Sequence, residues 1–199
     1  MPTISLNPRD VARELARRYS TMTHDELDLL EEILLPMKFA KGETILHEGE
    51  ICHNIYWIVK GMVRQYYYKN KKELTEYMAT ENTICMSIES LFRETPSMQM
   101  IQALEPTIVF AIPMRDLEAV SMKSINIQML YRKILEESLI ISQQRADMLR
   151  FESAQDRYQK LVKRSPQLVL RAPLVYIANY LQMTPETLSR VRTAVLMNS

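Results

Sequence analysis

The chain of 199 residues predicts an α+β fold in which helices open the molecule, short strands fill its middle and helices return to the end. Three observations carry this reading. Two amphipathic stretches precede residue 36, six short β-type runs fall between Met37 and Pro113, and 3.6-residue periodicity resumes at Met114.

The first amphipathic stretch runs from Pro8 to Tyr19. Thr23-His-Asp-Glu26 is a capping box, in which the threonine oxygen accepts from the first helical turn and the glutamate returns to the cap's own N–H. It starts a second helix expected to run to about Leu35. Runs at 43–47, 55–60, 62–69, 74–79, 98–104 and 107–112 read as strands, and many short strands with turns between them indicate a sandwich or barrel. All three glycines, Gly42, Gly49 and Gly61, lie inside this segment, where the chain is expected to turn with positive φ. From Met114 the helical pattern continues to the end, broken near Phe151 and at Ser165-Pro166.

Within the long helix, Ile127, Ile134, Ile141 and Met148 repeat every seven positions, with Leu130 beside them. Leu135, Leu139, Ala146 and Leu149 form a second stripe about 100° around the helix. A helix apolar on two sides needs two partners. The first stripe is expected to face the same helix of a second copy, and the second to pack on the chain's own domains. Glu137, Ser138, Gln144 and Arg145 make any coiled coil imperfect, and one wide buried face within a monomer stays open as the alternative.

The tail reads as two short helices joined by a tight turn. Thr184 is a good N-cap and Pro185 a good first helical residue. Leu188, Val191 and Val195 make a packing stripe, while Glu186, Ser189 and Arg190 recur on another side. Arginine can pair bidentately with guanine, glutamate can accept from cytosine N4, and serine can bond base edges or phosphates. Those three residues are candidate base contacts, with Thr184, Thr187 and Arg192 as candidate phosphate contacts. Ile177, Leu181, the small Ala178 and Met183 support the pair from the preceding helix and the turn. Gln182 stands where such turns commonly hold glycine, and a left-handed backbone there costs on the order of 1 kcal/mol, which leaves room for a different shape. Two ordinary packed surface helices remain the bland alternative.

Charge distribution supports a nucleic-acid partner. From Phe151 onward the chain holds seven Lys or Arg against three Asp or Glu, although the whole chain is only +1. Composition is otherwise that of an ordinary soluble protein, with no apolar run long enough to span a membrane and no apolar core to a signal peptide, so a cytoplasmic location is expected. Cys52 and Cys85 are too few for a metal knuckle or an iron–sulfur site. No metal, cofactor or catalytic residue is expected.

The motifs Gly42-Glu-Thr-Ile-Leu-His-Glu-Gly49 and Ile55-Tyr-Trp-Ile-Val-Lys-Gly61 resemble the first hairpins of the cyclic-nucleotide-binding domain of Crp/Fnr transcription regulators. Glu186-Thr-Leu-Ser-Arg190 resembles the recognition helix of the Fnr branch. The resemblance implies a double-stranded β-helix (jelly-roll) effector domain at 1–122, a dimerisation helix at 123–150 and a helix-turn-helix DNA-binding domain at 151–199 without an evident final wing. It further implies a homodimer whose reading helices, about 34 Å apart, meet a pseudo-palindromic operator with half-sites resembling TTGA. The partners are then double-stranded DNA, a second copy and, as a further candidate, RNA polymerase.

One family feature is missing. Nucleotide-responsive members hold the ribose with a Gly-Glu pair and the cyclic phosphate with an Arg-Ser or Arg-Thr pair. The stretch from Asn82 to Ala103 has no glycine, and Ser97-Met98 stands where the arginine pair would fall. No response to cAMP or cGMP is expected, and Glu89, Ser90, Ser97 and Met98 become candidate residues of a pocket for an unknown effector. Family sensing by a four-cysteine cluster is excluded by cysteine count, and haem ligation by His24, His47, His53 or a methionine has little support. Two rival functions remain: a sensor or adaptor dimer that binds no DNA, and a cupin-type metalloenzyme.

Overall fold

The computed structural model describes residues 7–197. Helix α1 (Pro8–Tyr19) starts where Asn7 accepts from the Arg9 N–H at 3.0 Å, and it buries Val11, Ala12, Leu15 and Tyr19. Helix α2 (His24–Glu32) closes its capping box in both directions: Thr23 N–H donates to the Glu26 carboxylate at 2.8 Å, and Glu26 N–H donates to the Thr23 hydroxyl at 3.3 Å. It ends at Glu32, short of the expected Leu35. Proline at 36 disfavours helical backbone at Leu35, and the chain enters strand β1 (Leu35–Phe39) instead. That strand lies at a sheet edge, where a proline is tolerated.

Strands β2 (Thr44–Leu46), β3 (Asn54–Lys60), β4 (Val63–Lys69), β5 (Lys72–Ala79), β7 (Met100–Ala103) and β8 (Thr107–Pro113) occupy the six expected runs. Strand β6 (Ile84–Cys85) and helix α3 (Ile88–Arg93) are too short for periodicity to reveal. The eight strands form two four-stranded antiparallel sheets, ordered β1-β8-β3-β6 and β2-β7-β4-β5. This is the jelly roll. Ile55, Trp57, Ile58, Ile101, Phe110 and Ile112 are fully buried in it.

Helix α4 (Met114–Ser121) covers the barrel's end, and α5 (Ile125–Phe151) leaves it. Ser124 separates the two by accepting from Ile127 N–H at 3.1 Å as an N-cap. Its 27 residues span about 40 Å at 1.5 Å per residue. The first half of α5 is part of the barrel's own core: Ile127, Leu130 and Ile134 are 0%, 0% and 1% exposed. These three cannot form a seam with a second copy. Periodicity had marked them as apolar, but the face they meet is decided by the barrel.

Glu26 welds α2 to the start of α5. Its carboxylate accepts from the Ser124 hydroxyl at 2.6 Å and from Asn126 Nδ2 at 3.0 Å. The Ser124 hydrogen bond, then the Thr23 backbone N–H and Asn126, hold its pKa down to about 2. An unfolded glutamate titrates near about 4.3. The folded value is depressed, so this contribution is fully present above the unfolded pKa and is lost as pH falls through the folded one. Between about pH 4.5 and 2, thermal melts should therefore fall less steeply for Glu26→Gln than for wild type, and parallel curves would contradict this assignment.

Four helices finish the chain: α6 (Ala154–Arg164), α7 (Pro166–Arg171), α8 (Leu174–Tyr180) and α9 (Pro185–Met197). Their core contains Leu161, Leu168, Ile177, Ala178, Leu181 and Leu188. Met62, Met78 and Leu104 of the barrel belong to the same cluster and are at most 8% exposed. The tail is therefore seated on the barrel.

Candidate nucleic-acid interface and effector cavity

The α8–α9 turn is tight because Gln182 takes a left-handed backbone, φ +50°. Met183 N–H then donates to Ala178 O at 2.9 Å and Gln182 N–H to Asn179 O at 3.0 Å, which satisfies carbonyls at the end of α8. The different turn shape left open for Gln182 is not found. Glutamine adopts the glycine-like conformation, at a cost on the order of 1 kcal/mol that packing of Leu181 and Leu188 offsets.

Helix α9 begins at Thr184, whose hydroxyl accepts from Thr187 N–H at 3.2 Å. Leu188 is fully buried, and Val191 and Val195 pack against the same core. Glu186, Ser189, Arg190 and Arg192 are exposed. Glu186 is held below the usual carboxylate range by a hydrogen bond from the Thr184 side chain, then by a backbone N–H at the helix start and by Arg190. Arg190 Nη2 donates weakly to the Thr187 hydroxyl at 3.4 Å. Thr187 is half-buried and engaged with Thr184, while Thr184 is exposed at the helix start. All six sequence candidates thus lie on one short helix and its cap.

A cavity of about 890 Å³ lies between β4–β6, the 87–99 segment and α5. Glu89, Ser90, Ser97 and Met98 all line it, but their roles differ from simple ligand contacts. Ser90 is consumed by structure: it accepts from Cys52 N–H at 2.9 Å and donates to Thr95 O at 2.7 Å. Ser97 is buried, bonded to Ser87 Oγ at 2.9 Å and Gln99 O at 2.8 Å. Met98 is 71% exposed, at the rim.

Other lining residues were invisible to sequence reading. Gln65 and Gln99 pair across the wall, and Gln65 also donates to Met86 O at 3.2 Å. Each arginine lining the cavity faces a carboxylate that also lines it: Arg18 with Glu137 at 2.5 Å, Arg145 with Glu76 at 3.1 Å, and Arg93 with Glu89 at 3.7 Å. Burial pushes the Tyr77 hydroxyl and the Cys85 thiol well above their ordinary pKa values, so both stay neutral. The wall mixes apolar side chains with charges that balance. Among the described residues, no three His, Cys, Asp or Glu side chains are grouped as metal ligands.

Residues 36–124 match the family described as the cyclic nucleotide-binding domain. That match takes in the strand-rich barrel, from β1 to the end of α4. No curated protein sequence matches the chain. Solved structures extend the likeness past the domain: FixK2 from Bradyrhizobium japonicum is 18% identical over 83% of this chain and 86% of its own, with a TM-score of 0.72. The Thermus thermophilus catabolite activator protein is 20% identical over 93% and 87%, with a TM-score of 0.56. A protein from Eubacterium rectale, assigned to the Crp/Fnr family of transcriptional regulators, is 16% identical over 89% and 85%, with a TM-score of 0.64. The chain shares its fold, barrel to tail, with these three proteins.

Past the barrel, α5 departs from the roles expected of its stripes. Of the stripe expected to pack on the chain's own domains, Leu139 is 72% exposed while Leu135, Ala146 and Leu149 are half-buried; Ile140 and Met129, in neither stripe, are 55% and 37% exposed. Of the expected seam, Ile141 and Met148 are half-buried and accompany Ile127, Leu130 and Ile134 on the inner side. Heptad spacing identifies an apolar stripe without saying which neighbour is nearer. Among the described residues, no helix is long and apolar enough to cross a membrane.

Proposed function

We propose that this chain is a sequence-specific DNA-binding transcription regulator of the Crp/Fnr type, acting as a homodimer on a pseudo-palindromic operator. The observation that carries this reading is α9, which buries Leu188 and leaves Glu186, Ser189 and Arg190 exposed on the side away from the core. Its parts are an effector domain at 1–122, a dimerisation helix at 123–150 and a DNA-binding domain at 151–199, of which 1–6 and 198–199 lie outside the described residues. The dimer seam uses the outer face of α5, with Met129, Leu139 and Ile140 at its centre, since the inner residues are already buried. Burying those side chains against a second copy would remove their remaining apolar surface from water, which stabilises the pair by roughly 25 cal/mol per Å² covered.

Selection of bound sites from random DNA tests the reading, and a recovered palindrome supports reading helix and dimer together. Arg190→Ala should relax preference at one guanine and lose roughly 1–3 kcal/mol on the selected site. Arg192→Ala should instead weaken all sequences alike and reduce the salt slope by about one. Equal losses for both variants on every sequence would remove Arg190 from base reading.

The cavity is poorly suited to a cyclic nucleotide. A cyclic phosphate needs a charge-assisted donor; Arg18 and Arg145 are already paired with Glu137 and Glu76, and Arg93 is an exposed side chain 3.7 Å from Glu89. Thermal unfolding in saturating cAMP or cGMP should show the same midpoint as the free protein. A midpoint that climbs with nucleotide concentration would overturn this part of the reading.

A further inference from the structure

Strand β5 is the edge of its sheet, so its outward backbone groups need partners. Helix α8 supplies one set of them. Asn179 accepts from Thr75 N–H at 2.9 Å through Oδ1 and donates to Glu73 O at 2.7 Å through Nδ2, so one amide reads the edge as a neighbouring strand would. A further edge carbonyl, Thr75 O, accepts from Arg145 Nη2 at 2.9 Å.

Arg145 comes from α5 and is 8% exposed. Its Nη1 donates to Tyr180 O at 3.1 Å, at the end of α8 where helix carbonyls lack intrahelical donors. Its guanidinium lies 4.5 Å from the Tyr180 ring centroid. Its Nε donates to Glu76 Oε1 at 3.1 Å. Arg145 and Glu76 both line the 890 Å³ cavity. A single side chain therefore touches the cavity, the sheet edge and the helix that carries the reading helix.

We propose that Arg145 is a positioning residue that ties the state of the cavity to the seating of α8. A ligand group that competes for Arg145 or Glu76 weakens the hydrogen bond to Tyr180 O and loosens α8 from β5. The coupling is directional in space because Asn179, the other anchor, is not among the residues lining the cavity. Arg64, stacked 3.9 Å from the ring centroids of both Tyr66 and Tyr176, holds the opposite end of α8 and acts as the pivot. The regulatory meaning of this latch rests on the DNA-binding reading above; the latch itself does not.

Hydrogen exchange of the full chain without DNA tests it. Glu76 is 41% exposed at its side chain and ion-pairs with Arg145 at 3.1 Å, so Glu76→Gln leaves the fold standing while altering the cavity wall. Amides of α8 should exchange roughly three- to tenfold faster in Glu76→Gln. Arg145→Gln should do the same or more, and adding Glu76→Gln to it should have no further effect. Should Arg145→Gln fail to fold, Arg145→Lys, which keeps the charge and loses the fork, takes its place in the cycle. Wild-type exchange in Glu76→Gln, or additive effects of the two changes, overturns the proposal. Gel retardation on the selected DNA is then read separately: wild-type protein that binds no DNA sinks the regulator reading and leaves the latch to the exchange data.

Discussion

Leu188→Ala should abolish retention of the selected DNA while the barrel keeps its cooperative unfolding. Leu188 is fully buried at the centre of the cluster formed by Leu161, Ile177, Ala178 and Leu181. Truncating a buried leucine costs roughly 2–5 kcal/mol through lost transfer energy and the cavity left behind. Helices α8 and α9 have 7 and 13 residues, too short to persist without tertiary packing. Losing their common anchor therefore disorders the proposed reading face without touching Glu186, Ser189 or Arg190. The barrel's core around Trp57 and Phe110 is a separate cluster, so circular dichroism should show a reduced helical signal with a retained main transition. Full DNA affinity in Leu188→Ala would mean that α9 is not held by this core.

Gly61→Val should cause the larger global loss. Gly61 has φ +99°, and a Cβ there would lie 2.5 Å from Thr107 Oγ1, 2.8 Å from Pro106 O and 2.8 Å from Thr107 Cα. Two of those three atoms are backbone, so the neighbour cannot swing aside. Strained φ and overpacking together cost roughly 3 kcal/mol or more. For a chain of this size that lowers Tm by roughly 6–12 °C. The turn has a second role, because Gly61 N–H donates to Glu81 at 2.9 Å and Gly61 O accepts from Arg171 of α7 at 3.3 Å. Gly49→Ala provides the comparison: φ is also positive, at +85°, but nothing lies within 4 Å of the added Cβ. Its cost should stay near the roughly 1 kcal/mol of the backbone conformation alone. Equal melting losses at the two glycines would show that close approach to Thr107 is not what selects glycine at 61.

Local signals located most elements and all six DNA-contact candidates. The Thr23–Glu26 box, the Thr184-Pro185 start and the stripe through Leu188 act within one or two helical turns, where spacing in sequence is spacing in space. The errors came where local preference met a neighbour. Pro36 shortened α2 in favour of an edge strand, and the turn shape left open at Gln182 resolved to the glycine-like one, between buried Leu181 and Leu188. The two-residue strand β6 and the six-residue helix α3 carry too few positions for any period to appear.

By itself, the order of residues determined the class of fold, the strand-rich middle, the boundaries of the first helix and the residues on the exposed face of α9. Tertiary structure alone decided which side of α5 enters the barrel, since two apolar stripes are equivalent until a sheet lies against one of them. It also decided the cavity. Arg145 and Glu76 stand 69 positions apart, and Arg18 and Glu137 stand 119 apart. Such pairs exist only because folding closes the long loops between them, and no periodicity within a short window contains that information.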